Sequence, residues 1–223
     1  MYTIFLQILL LFLILYFLLR NQKNNIIHSL TSNIEALTNN IDVVLVGDSM
    51  LENSNYVSKT VGANIKNTHK NTIVLAKDES IVDDVIIQVK KIPKELNNKN
   101  TYVFLSIGGN DLLNIYKYSN KDIVDLSHID VLFAKYIKTI NFITKKYKFK
   151  LVLLNIYYPQ DYSYLKFHKI IKTWNEKLFS FSKNKNLQVL DVSKLLNKKK
   201  HFTNGIEPSE IGSVILADNI KSF

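Results

Sequence analysis

The amino-acid sequence predicts one α/β domain built on a parallel sheet, with a transmembrane helix ahead of it. Three observations carry that reading. From Ile41 onward, short apolar runs rich in β-branched residues alternate with longer stretches whose apolar residues recur near every 3.6 positions. Such alternation joins parallel strands through right-handed crossovers. The short runs are apolar at successive positions, as strands buried on both faces require. Ahead of them stands an apolar stretch long enough to cross a bilayer.

That stretch runs from Tyr2 to Leu19, interrupted only by Thr3 and Gln7. As a helix it rises about 27 Å, close to the ~30 Å hydrocarbon core. No Lys or Arg precedes it, and no small-residue cleavage site follows it. It therefore reads as an uncleaved single-pass anchor over residues 1–20 rather than a signal peptide. Arg20 and Lys23 on its C-terminal side place the bulk of the chain in the cytosol by the positive-inside rule. Residues 21–40 read as a linker, in which Ile26, Ile27, Leu30, Ile34 and Leu37 keep the spacing of a short amphipathic helix. The domain takes up 41–223.

Within it, the stretches 42–47, 72–76, 101–107, 150–156 and 187–192 read as strands, closed by turn signals such as Gly47 and Gly108-Gly109. Helical patterns cover 81–92, 129–147 and 165–181. A last helix runs from Pro208 to Ile220, with the proline at its first position. There is no internal repeat and no second domain.

Composition removes several function classes. The 223 residues hold 29 Lys+Arg against 19 Asp+Glu, a net charge of +10, yet Arg20 is the sole arginine. Proteins that read nucleic acid lean on the bidentate guanidinium, so no nucleic-acid partner is expected. The one dense basic run, Lys198-Lys199-Lys200, reads as a solvated loop. The absence of cysteine excludes a disulfide scaffold, a Cys-ligated metal and a thiol nucleophile.

Three short blocks carry the chemistry. Gly47-Asp48-Ser49 ends the first strand, Gly108-Gly109-Asn110-Asp111 ends the third, and Asn204-Gly-Ile-Glu207-Pro208-Ser-Glu-Ile-Gly212 leads into the last helix. Each alone could be an ordinary turn. In this order, each at a strand end or helix start, they resemble the SGNH (GDSL-like) hydrolase superfamily over nearly all of 41–223. The resemblance implies a flavodoxin-like three-layer α/β/α sandwich with a five-stranded parallel sheet. It implies Ser49 as nucleophile, with its own N–H and the Asn110 side chain holding the oxyanion and Gly109 beside them. Asp48 supports the nucleophile. A serine at a strand tip that opens a helix exposes Oγ and gathers backbone N–H groups, which suits that role.

Two features depart from the family pattern. The oxyanion glycine expected after the second strand is missing, and Ser80 is its nearest match. The family's Asp-x-x-His is replaced by Asn204-x-x-Glu207. A free carboxylate is a poor base for a serine hydroxyl, but burial can raise its pKa toward neutrality. Glu207 is therefore the candidate base, with Asn204 as a neutral neighbour. His201, six residues upstream, is the alternative base. A charge at a helix start is the competing explanation of Glu207.

The resemblance implies an esterase- or lipase-type serine hydrolase that needs no metal or organic cofactor. Its substrate would be an ester-bearing small molecule, lipid or acylated sugar. Two alternatives stay open: an impaired member of the fold that binds an acylated ligand without turnover, and an acyl transferase.

Overall fold

The computed structural model describes residues 19–27, 42–118 and 127–223. Five parallel strands form one sheet: β1 (Asp42–Gly47), β2 (Thr72–Val74), β3 (Thr101–Ser106), β4 (Lys150–Leu154) and β5 (Gln188–Leu190), in the order β2-β1-β3-β4-β5. The five-stranded parallel sheet is the one the sequence predicts, and its order is the flavodoxin-like one. In that order the chain reverses its direction of sheet growth between β1 and β3. Crossovers on either side leave a crevice at the carboxyl ends of those two strands, the usual ligand position in open α/β sheets.

Burial on both faces explains the continuous apolar runs. Val44, Val46, Val103, Leu105 and Leu153 pack beneath helices α2 (Val85–Val89), α4 (Ser127–Lys146) and α5 (His168–Lys185). Val43, Leu45, Phe104, Val152 and Leu154 point the other way, against α1 (Val61–Lys66) and α7 (Glu210–Ile220). Side chains of this size contribute roughly 1.5–3 kcal/mol each when fully buried. At the centre of the first core, Trp174 meets Phe133 and Tyr136 edge-on at 5.1 and 5.3 Å.

The expected helix over 81–92 resolves into a 3₁₀ turn, Val82–Asp84, and the short α2. Helices α1 and α3 (Gly109–Tyr118) and the four-residue α6 (Val192–Leu195) add to the reading. Ser49 opens a single turn rather than a helix: Leu51 and Glu52 both donate to the Asp48 carbonyl at 3.1 Å, and α1 starts only at Val61. Pro208 is not the first residue of the last helix. It pairs in a two-stranded hairpin of β6 (Phe202–Thr203) and β7 (Glu207–Pro208), and Ser209 caps α7 by accepting from the Gly212 N–H at 3.2 Å. A serine with free φ and a hydroxyl acceptor does what proline cannot.

Residues 19–27 are helical, with every side chain exposed. Among the described residues no helix is long and apolar enough to cross a membrane. The anchor over 1–20 and the linker over 21–40 fall, apart from 19–27, outside the described residues.

Candidate active site

The nucleophile turn is built first. Gly47 has φ +130, and a Cβ there would stand 1.7 Å from the Ser106 carbonyl oxygen, so only glycine lets β1 close on β3 at this point. Next, Asp48 ties the turn to β3. Its N–H donates to Ser106 O at 3.0 Å, and its Oδ1 accepts from Ser106 Oγ at 2.7 Å and from the Met50 N–H at 3.2 Å. Gln88 braces the other side. Its Oε1 accepts from the Gly47 N–H at 2.6 Å, and its Nε2 donates to Gly47 O at 2.9 Å and Ser80 Oγ at 3.0 Å. Ser49 stands at the apex of this turn, 7% exposed.

Asn110 arrives at the start of α3. Its Nδ2 donates to the Ser80 carbonyl at 3.0 Å. An amide nitrogen carries two hydrogens, so this bond aims the second while leaving it free. Ser80 plays a different part from the expected one. Its backbone N–H donates to Lys77 O at 3.2 Å, and the residue stands outside the cleft that Ser49 faces. It positions Asn110 through its carbonyl.

Glu207 comes from the β6–β7 hairpin. The Thr203–Ile206 turn has positive φ at both central residues, 50 at Asn204 and 78 at Gly205, as a type I′ turn requires. Asn204 is exposed on that turn, so its residue type serves the backbone rather than Glu207. Two buried groups then hold the hairpin over the nucleophile. Tyr157 donates through its hydroxyl to Ile206 O at 2.5 Å. Asn53, fully buried, donates to Pro208 O at 3.3 Å and Ser213 Oγ at 2.6 Å and accepts from the Val61 N–H at 3.2 Å.

Ser49, Asn110 and Glu207 thereby line one cleft of about 450 Å³, open mouth included, with Asp48 and Gly109 at its base. Its walls are apolar, from Met50, Leu113, Ile156, Phe167, Ile171 and Ile206. Asn175 fixes the Ile156 wall, accepting from its N–H at 3.0 Å and donating to its carbonyl at 2.7 Å.

Burial pushes the Glu207 carboxyl up to about 7, and the nearby Ser49 hydroxyl opposes that rise by favouring the charged form. Its second oxygen, Oε2, is buried with no hydrogen-bond partner. Burial likewise raises Asp48 to about 7, against the opposing hydrogen bonds from Ser106 and Met50. No histidine lines the cleft among the described residues. His201 is buried elsewhere, its Nδ1 accepting from the Asn197 and Lys198 N–H groups at 3.2 and 3.4 Å. His168 donates through Nε2 to Pro159 O at 2.7 Å.

No family model matches the chain, and no curated protein sequence matches it. Solved structures do. A member of the lipolytic protein G-D-S-L family from Veillonella parvula superposes with a TM-score of 0.63 at 15% identity, covering 82% of this chain and 97% of that one. A phospholipase A1 from Streptomyces albidoflavus gives 0.62 at 14%, covering 81% and 98%. An acetyl xylan esterase from Geobacillus stearothermophilus gives 0.60 at 14%, covering 81% and 92%. The chain has the fold of these lipolytic and esterolytic hydrolases.

Proposed function

We propose that this chain, sharing the fold of G-D-S-L-type hydrolases, is a divergent SGNH hydrolase that cleaves carboxylic esters. One observation carries the reading. Three segments far apart in sequence bring Ser49, Asn110 and Glu207 into a single apolar cleft, with the Glu207 carboxyl poised near neutrality beside the Ser49 hydroxyl.

The steps balance on these groups. Ser49 Oγ attacks the acyl carbonyl carbon as its proton passes to the Glu207 carboxylate. The Ser49 N–H and the free hydrogen of Asn110 Nδ2 receive the oxyanion. Collapse expels the alkoxide, which takes the proton from Glu207 and leaves an acyl-serine. Water then attacks, giving its proton to Glu207, and the carboxylic acid departs as Ser49 recovers its hydrogen. A base with pKa near 7 is half ionised at neutral pH and still accepts a proton, which balances the two demands on it. The apolar walls would take the acyl chain. The neighbours act on phospholipid and on acetylated xylan, so the fold leaves the alcohol side of the ester undetermined.

The apolar run over residues 2–19 serves in this reading as a membrane anchor. The hydrolase is tested by turnover of short acyl esters in wild type and Ser49→Ala. Loss of turnover in the variant, of at least about 10³-fold, is expected. Equal turnover would leave the cleft as a binding site without catalysis.

A further inference from the structure

Charge is distributed unevenly over the domain. Asp48, Asp78, Glu79, Asp111 and Glu207 gather at the carboxyl ends of the strands. Each crossover helix runs back to the opposite end, so its last turn lies beside the amino ends. There α4 closes with Lys145 and Lys146, and α5 with Lys183 and Lys185. Lys148 precedes β4 and Lys150 opens it. All six are exposed, and among the described residues none forms an ion pair with a carboxylate. Of the acidic side chains at this end, Asp42 accepts from Asn71 Nδ2 at 3.0 Å and Asp218 pairs with Lys221 at 2.7 Å. Glu95 is the third.

The helix dipole accounts for lysines in the last turns of α4 and α5. It does not account for Lys148 and Lys150, nor for the aromatic rings among them. Tyr147 and Phe149 stack at 5.2 Å and line a groove of about 590 Å³, open mouth included, between α4 and β5. Lys146 Nζ stands 5.3 Å over the Phe142 ring, itself 40% exposed, and Lys150 Nζ stands 4.3 Å over Tyr102. Lysines without a carboxylate partner, Lys150 donating only to the Tyr102 hydroxyl at 2.9 Å, surround the half-buried Tyr102 and Tyr147 and the exposed Phe142. That combination matches a lipid headgroup region, where the ring takes the interface and the ammonium the anion.

We propose that this amino-terminal end of the sheet docks on an anionic lipid surface. The polypeptide enters the domain at the same end, through Asp42 at the start of β1. A strand of that length is about 20 Å long, so the cleft at its far end opens toward water. If Ser49 is the nucleophile proposed above, its ester is then presented from the aqueous side; the docking itself does not depend on that chemistry.

The chain has no cysteine, so one thiol reports one place. Full-length protein carrying Gln188→Cys, beside the groove, is labelled with a polarity-sensitive fluorophore and mixed with vesicles. A second sample carries Ser54→Cys, near the catalytic end. Phosphatidylglycerol-containing vesicles should blue-shift the probe at 188 and not at 54, and pure phosphatidylcholine should shift neither. Salt near 1 M, where the Debye length is about 3 Å, should erase the shift. Lys146→Glu/Lys148→Glu/Lys183→Glu should erase it too, while turnover of soluble esters and circular dichroism stay at wild-type values. Equal response to both vesicle types, or an anionic-lipid shift that survives the triple charge reversal, would overturn the proposal. A shift produced by duplex DNA and not by phosphatidylglycerol would overturn it in favour of a polyanion.

Discussion

Asn110 and Glu207 perform different work, and removing them should show it. In the proposed mechanism Asn110 offers one fixed hydrogen to the oxyanion, because the Ser80 carbonyl holds the other. Asn110→Ala should lower kcat on a short acyl ester by about 10²–10³-fold with little change in KM, as loss of one oxyanion donor does elsewhere. Glu207 is costly to keep. Its pKa rises from 4.5 to about 7 on folding, and Oε2 has no partner. The folded chain thus holds a proton that the unfolded chain has released, so this contribution is complete below about pH 4 and lost as pH rises through about 7. Glu207→Gln should therefore raise Tm at pH 8 and leave it near wild type at pH 5. The gap corresponds to roughly 3 kcal/mol at most, and thermal melts at the two pH values measure it.

At the scale of elements, the site depends on loops tied to one another across the fold. Asn53 joins the nucleophile segment to Pro208, 155 positions away, and to Ser213. Asn53→Ala leaves these buried groups unpaired and should cost about 1–3 kcal/mol in urea unfolding. It should also lower kcat, since Glu207 follows the loop. In the hairpin, Gly205 has φ +78, and a Cβ there would lie 3.1 Å from Asp161 Cβ. Gly205→Ala should destabilise by about 1 kcal/mol or more in the same assay. The sequence makes Ser49, Asn110 and Glu207 visible because each belongs to a short block read locally. Asn53, Gln88, Tyr157 and Asn175 escape it because their partners lie far along the chain; Gln88 serves Gly47 from 41 positions away. Ser80 stands out by position in the sequence, but that its carbonyl meets Asn110 while its N–H turns to Lys77 is visible only in the fold.

For the whole molecule, the parallel sheet is legible because both its faces are buried, which leaves the strand interiors apolar at successive positions. Helix α3 is harder to see, since its first residues, Gly109 to Asp111, belong to the loop chemistry that precedes it. The molecule shares the fold of G-D-S-L-type hydrolases, and under the proposed function Glu207 stands where the resemblance leads one to expect an imidazole. Burial lifts both Asp48 and Glu207 to about 7, the range the proposed base needs. The two carboxyls repel, so a titration in this range belongs to the pair. The central claim is that the Glu207 carboxylate is the base for Ser49. The pH dependence of kcat/KM for a short acyl ester, in wild type and Glu207→Gln, tests it most directly. Wild-type activity should climb with pH through about 7 and level off, and Glu207→Gln should lose most of the rate together with that limb. An identical profile and rate in the two proteins would contradict the claim.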